Sequence, residues 1–299
     1  ISSVQAVGHR VVHGAEKFKK PVVVNQGVIN EIKKCCAIAP LHNPANLAGI
    51  TACQKLLPGV RQVAVFDTAF HQSIPSIAFI YGLPYDYYKN LGVRKYGFHG
   101  TSHQYVALEA SRILKKPLSK LKLITCHLGN GCSITAINKG KSIDTSMGFT
   151  PLEGLVMGTR CGDLDPALIT YIMHKMKLDT KQMDLILNKE SGLKGISGLS
   201  NDMRILEAKA NAGNKRAGLA IDIFVYRIRK YIGAYLAVLG GIDALIFTAG
   251  IGENQVKIRK AICKKLFGCL GKPPKIMVIP TNEELMIARQ AYKLINTPR

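Results

Sequence analysis

Short apolar runs that end on glycine or aspartate recur along the chain. Each reads as a strand delivering a loop to the edge of a sheet. Residues 62–66 lead into Asp67, and 121–126 lead into His127-Leu128-Gly129-Asn130-Gly131. The run 133–137 follows and ends at Asn138-Lys139-Gly140-Lys141, so the two runs form a hairpin whose first connection is glycine-rich. Later, 244–248 precede Ala249-Gly250-Ile251-Gly252-Glu253-Asn254, and 276–279 precede Pro280-Thr281-Asn282-Glu283. Helical periodicity fills the intervals. It covers 102–114 (stopping before Pro117) and 166–176, capped by Asp163 or Asp165. A third run, 216–239, carries Leu219, Ile223, Tyr226, Ile228 and Tyr231 and stops at Gly240-Gly241. The pattern predicts an α/β fold with both hairpins and crossover helices, and no tandem repeat.

At 299 residues the chain has room for two domains. A hydrophobic fraction of 47% excludes a disordered chain. The most apolar stretch, 231–252, contains Asp243 and five glycines, so it divides into helix, turn and strand rather than one membrane span. Lys and Arg outnumber Asp and Glu 41 to 19, a net charge of +22 that attracts polyanions. The basic residues are dispersed, and no block of five or six reads as a nucleic-acid tail. A third-ranked reading, a nucleic-acid-binding protein, rests on this charge alone. The eight cysteines include no Cys-x-x-Cys pair, so a zinc site is unsupported and reduced thiols of a cytoplasmic protein are expected.

Candidate chemistry gathers where strands end, as α/β folds place ligands. Gly129-Asn130-Gly131 reads first as a hairpin turn and second as a phosphate cradle. Gly250-Ile251-Gly252 follows a strand and is placed to open a helix at Asn254 beside a nucleotide. Arg10 and Arg160 offer planar guanidinium forks to carboxylate or phosphate, with surface or ion-paired arginine as the plainer alternative. Asp67 and Glu283 are candidate Mg²⁺ ligands, or else a turn residue and a first-turn helix carboxylate. His99 and His103 are four apart, but Gly100 and a missing glutamate argue against zinc; one loop histidine donating to a phosphoryl group fits better. Two arginines, a histidine, an asparagine in a glycine turn and two carboxylates are the parts of phosphoryl transfer.

These residues sit in longer motifs. Residues 66–71, 96–103, 144–154, 157–166, 195–204 and 247–254 together resemble the acetate kinase (acetokinase) family, in order and over nearly the whole chain. The resemblance implies an actin-like ATPase, sugar kinase and Hsp70 superfamily fold: two α/β domains with the active site in the cleft. It implies domains of 1–69 plus 284–299, and 70–283. The implied reaction is reversible transfer of the ATP γ-phosphoryl group to acetate, giving acetyl phosphate and ADP, with Mg²⁺ (or Mn²⁺). Arg10 and Arg160 would then hold acetate and the phosphoryl group, and His99 and Asn130 would stabilise transition-state oxygens. Asp67 and Glu283 would position the metal, and Val12, Leu41, Phe98 and Pro151 would take the acetate methyl. The nucleotide would meet 127–131 (His127, Leu128, Gly129, Asn130, Gly131), Asp202, Met203, Arg204 and 250–254 (Gly250, Ile251, Gly252, Glu253, Asn254). His42 matches a further active-site histidine. A cytoplasmic homodimer follows by the same resemblance, with no nucleic acid and no membrane partner.

Four departures stand out. The family opens with a strand bearing Asn-x-Gly-Ser-Ser-Ser, within a leading segment of roughly 80 residues, less than one typical domain. This chain opens at Ile1-Ser2-Ser3 without it, so the first domain is expected to be incomplete. The stretch between Leu266 and Lys275 is shorter than usual; Cys161 replaces a serine and Ala15 a glycine. Cys161 beside Arg160 is expected to be oxidation-sensitive. The alternatives are a propionate kinase, or a catalytically inactive nucleotide-binding paralogue or fragment.

Overall fold

The structure, a computed structural model, describes residues 4–40, 42–268 and 271–297. Two sheets organise it. The first contains β1 (Ala6–Val11), β3 (Arg61–Phe66) and the short β2 (Val22–Val23), with β3 central, parallel to β1 and antiparallel to β2. The second has the order β6-β5-β4-β7-β8: Lys141–Thr145, Cys132–Asn138, Lys122–Leu128, Ala244–Thr248 and Lys275–Val278. Its β4-β5-β6 half is antiparallel, as the glycine and Asn-Lys-Gly turns require, and β4, β7 and β8 are parallel.

Alternation along β4 gives the second sheet two different faces. Ile124, Cys126 and Leu128 join Cys132, Ile134 and Ala136 of β5 in the main core, under the long helix Lys215–Leu239. Leu123 and Ile137 face the other way, against Val106, Ala107 and Ala110 of the helix Gly100–Leu114. The helix Glu283–Asn296 packs on the first sheet, where Ile287 and Ala291 meet Val63 and Val65.

Several expectations shift in detail. The long helix is present, but its buried stripe is Ala217, Ala220, Phe224, Ile228, Ile232 and Tyr235. Leu219 and Tyr226 stand in solvent, because a helix apolar on more than one side does not announce which side is covered. Asp165 caps the helix Pro166–Met176, accepting from Ala167 N, while Asp163 accepts from Gly154 N and Tyr231 Oη. The segment after β7 is helical from Ala249, so Asn254 ends that helix rather than opening one. Leu41 and Cys269 lie outside the described residues. Burial pushes the Cys161 thiol up to about 11, against the expected sensitivity to oxidation.

After β1 the backbone is held by side chains. Val12 N–H donates to Asn46, His13 N–H to Asn43 and Gly14 N–H to Thr68. Ala15 follows at φ 46°, in the left-handed region that costs an alanine its Cβ clearance. Ala15→Gly should therefore raise the unfolding free energy by about 1 kcal/mol. A urea midpoint unchanged or lowered in this variant would show that the turn carries no strain.

Candidate active site

Arg10 is the penultimate residue of β1 and Asp67 follows β3, so the parallel pairing of these strands brings the two side by side. Asp67 is fully buried. Arg10 Nη2 donates to its Oδ2 at 2.6 Å, and Nε lies 3.1 Å from Oδ1. Glu283 Oε2 sits 3.7 Å from Arg10 Nε. The two carboxylates hold the Arg10 charge firmly, Asp67 contributing most, while burial raises the Glu283 pKa. Asp67 also takes a backbone bond from Gly100 N–H, and a Cβ on Gly100 would overlap the Asp67 carbonyl. That glycine lets the helix 100–114 start against the end of β3.

His99, the residue before that helix, has φ 55°, a left-handed conformation that histidine tolerates better than most side chains. Its ring stacks on His127 with centroids 4.1 Å apart. On the far side of the turn, a Cβ at Gly131 would lie 3.3 Å from Arg160 Nη1 and 3.6 Å from His99 Nε2. The glycine turn, Arg160 and His99 thus converge on one small volume. Arg160 donates to Pro151 O at 3.3 Å and, among the described residues, has no carboxylate within ion-pair distance. Burial lowers its pKa. Burial first, then the charges of Arg160 and Arg10, lower the pKa of half-buried His42.

The loop carrying Pro151 and Arg160 is fastened by carboxylate–phenol pairs. Phe149 N–H donates to Tyr81 Oη, which donates to Glu153; Tyr231 Oη donates to Asp163 at 2.7 Å. A cavity of about 310 Å³ between residues 37–40 and this loop is lined by His42, Phe149, Pro151, Arg160 and Asp184. Val12 and Phe98 are buried in the main core cluster.

A larger cavity, about 430 Å³, is lined by Gly129, Asn130, Asp202, Met203, Arg204, Gly250, Ile251 and Asn254, together with Asn201 and Gln255. Its volume lies in the usual range for a small-molecule site. His127, Leu128, Gly131, Gly252 and Glu253 do not line it. Leu128 is core, and Glu253 turns its carboxylate onto Ala249 N–H and Thr281 N–H to fix the loop. Arg204 is engaged with Asp202 at 2.6 Å.

Sequence reasoning gives no orienting role to several residues that hold this site, although His103 stands out there as a histidine four residues from His99. Asn201 Nδ2 donates to Asn130 Oδ1 at 2.9 Å, which leaves the Asn130 amide hydrogens free to donate. Ser102, His103, Thr125, Ser133 and Thr281 support the two stacked histidines from below. A signal did exist: Thr125 and His127 alternate on one face of a strand that is apolar elsewhere after Lys122, opposite Thr135 and Ser133.

Asp67 and Glu283 form a hard-oxygen pair beside a cationic cleft. That set suits Mg²⁺, which commonly takes one or two carboxylates and completes its shell with water and phosphate. No cluster of three metal-binding side chains occurs among the described residues.

The sequence profile of the acetokinase family matches residues 1–273. An acetate kinase of Halothermothrix orenii is 55% identical, over 99% of this chain and 80% of that protein. The crystal structure of Porphyromonas gingivalis acetate kinase superposes with a TM-score of 0.93 at 46% identity, over 99% of this chain and 79% of that one. A propionate kinase structure from Francisella tularensis gives 0.92 at 48% identity, over 96% and 78%. The two-sheet α/β architecture is that of these kinases. Among the described residues no helix is long and apolar enough to cross a membrane.

Two predictions follow from the geometry. A Cβ on Gly158 would overlap Asn130 Oδ1. Gly158→Ala should displace that amide and lower turnover between about tenfold and a hundredfold, with the melting temperature little changed. Full turnover would show that Asn130 needs no fixed orientation. Separately, burial pushes His13, His71 and His127 down to about 4 and His99 and His103 well below their ordinary value. The unfolded chain binds these protons near 6.5, so stability should be complete above 6.5 and fall as pH drops toward 4. The slope is about 1.4 kcal/mol per pH unit for each histidine titrating. A flat urea-unfolding free energy between pH 6.5 and 4.5 would contradict this.

Proposed function

The chain belongs to the acetokinase family, and on that premise we propose that it transfers the γ-phosphoryl group of ATP to acetate, giving acetyl phosphate and ADP. It is a kinase-type phosphotransferase; acetate as the acceptor is the finer reading. The observation that carries it is Arg160: a partly buried guanidinium with no carboxylate partner among the described residues, beside His99 over a glycine turn. Such a cation is completed by an incoming anion.

Each residue then has a task. ATP lies along the 430 Å³ cavity with its phosphates toward Gly129–Gly131. Acetate sits between the arginines, its methyl toward Val12, Phe98 and Pro151. Arg10 is held rigid by Asp67 and so presents a fixed charge. The carboxylate oxygen attacks the γ-phosphorus in line, the bond to the β–γ bridging oxygen breaks, and ADP leaves. Charge spread over the equatorial oxygens meets Arg160, the His99 ring and the Asn130 amide. Asp67 and Glu283 would hold Mg²⁺, which supplies neutralisation of phosphate charge when bound. No enzyme nucleophile is needed.

The propionate reading has one observation behind it, the close likeness to a propionate kinase structure. One methylene is worth only about 1–3 kcal/mol in an apolar pocket. We propose further that the 1–69 and 284–299 portions move as one lobe against 70–283 on substrate binding, and that the protein is a cytoplasmic homodimer.

A hydroxamate assay with ATP and Mg²⁺ tests the reaction. Acetate should be the better substrate, and Arg160→Ala should lower turnover about a thousandfold or more. Faster turnover of propionate would select the second reading. Absence of acyl phosphate with either acid would reject both.

A further inference from the structure

A chain of hydrogen bonds runs beneath His99. His99 Nδ1 lies 2.9 Å from Ser133 Oγ, Ser133 Oγ lies 2.7 Å from His103 Nε2, and His103 Nδ1 lies 2.7 Å from Thr125 Oγ1. Ser133, His103 and Thr125 are fully buried. Burial keeps both rings neutral, so each imidazole has one donor nitrogen and one acceptor nitrogen. Ser133 has a single hydrogen for two imidazole neighbours. Accepting from both would strand that buried hydrogen, because among the described residues the Ser133 hydroxyl has no third partner. It therefore donates to one ring and accepts from the other, so fixing any bond in the chain fixes all of them.

Two directions satisfy these rules locally. In one, Thr125 donates to His103 Nδ1, His103 Nε2–H donates to Ser133, and Ser133 donates to His99 Nδ1. In the other, every bond is reversed. Thr125 decides between them. Among the described residues its hydroxyl has no other hydrogen-bond partner. Reversal would leave that hydrogen without an acceptor in a site closed to water, a costly arrangement. The forward direction leaves only unused oxygen lone pairs, which are cheaper to bury.

We propose that Thr125, His103 and Ser133 are positioning residues that act as a one-way relay, holding the His99 proton on Nε2, the nitrogen facing Gly131 and Arg160. His99 can then donate to an oxygen in the cleft and cannot act there as a base. The ring is also fixed in place by the same bond that fixes its proton, as hydrogen bonding at one imidazole nitrogen assigns the other. A second chain runs alongside: Thr281 Oγ1 donates to Ser102 Oγ, and Ser102 lies 2.8 Å from His127 Nδ1. It favours the same tautomer for the ring stacked on His99. The catalytic consequence rests on the phosphotransfer reading; the tautomer itself does not.

The test is ¹⁵N NMR on the whole chain labelled at histidine, near pH 7.5, with His99 identified by the signal lost in His99→Asn. The expected spectrum shows His99 and His103 each protonated at Nε2 and bare at Nδ1. A proton on His99 Nδ1 overturns the relay. Ser133→Ala supplies the kinetic arm. Its kcat should fall about tenfold while the KM values for ATP and acetate stay within twofold, since the missing bond orients a donor rather than binding substrate. An unchanged kcat overturns the positioning role. If the unaltered chain phosphorylates neither acetate nor propionate, the functional reading fails while the NMR result still decides the relay.

Discussion

A carboxylate sealed from water is tolerable only when its charge is answered on the spot. Asp67 is such a group, and Arg10 answers it through two nitrogens. The residue does more through its backbone. Its N–H donates to the Val11 carbonyl and its own carbonyl accepts from Gly100 N–H. One position therefore ties together the end of β1, the end of β3 and the turn that carries His99. The cleft inherits its geometry from that knot: Arg10 is placed by the side chain, and His99 by the main chain.

The two arginines are electrostatically unlike. Arg10 is already ion-paired and held in place, whereas Arg160 is desolvated and has no carboxylate within ion-pair distance among the described residues. An anion arriving at Arg160 relieves a cost the folded protein already carries, which strengthens binding in a way an exposed cation cannot match. Around this pair, a net charge of +22 raises the local concentration of anionic substrates at low ionic strength.

Much of the architecture was legible because it is local. Strand ends at Asp67 and Gly129, the hairpin between β4 and β5, and the stop at Gly240 depend on neighbours in sequence and were readable from turn chemistry alone. The buried stripe of the long helix was not, because its choice of face is made by distant elements. The candidate site divides the same way. Arginines and glycine turns were visible as types, and the family resemblance placed them in order. Their orienting partners were not visible: Ser133 is 34 residues from His99, Asn201 is 71 from Asn130, and Thr281 is 179 from Ser102. A buried serine or threonine has no signature until the fold shows what it faces.

The left-handed backbone at His99 also limits what evolution can try there. Asparagine and aspartate accept that conformation at least as readily, and each is one base change from a histidine codon. Either would leave the turn, the helix start and the Gly100 contact undisturbed while removing the imidazole. β-Branched residues, in contrast, would strain the chain at its central knot. A lineage that stops needing the chemistry thus has a short mutational path to a folded, silent descendant. In such a descendant, asparagine or aspartate at this position would be the first mark to look for.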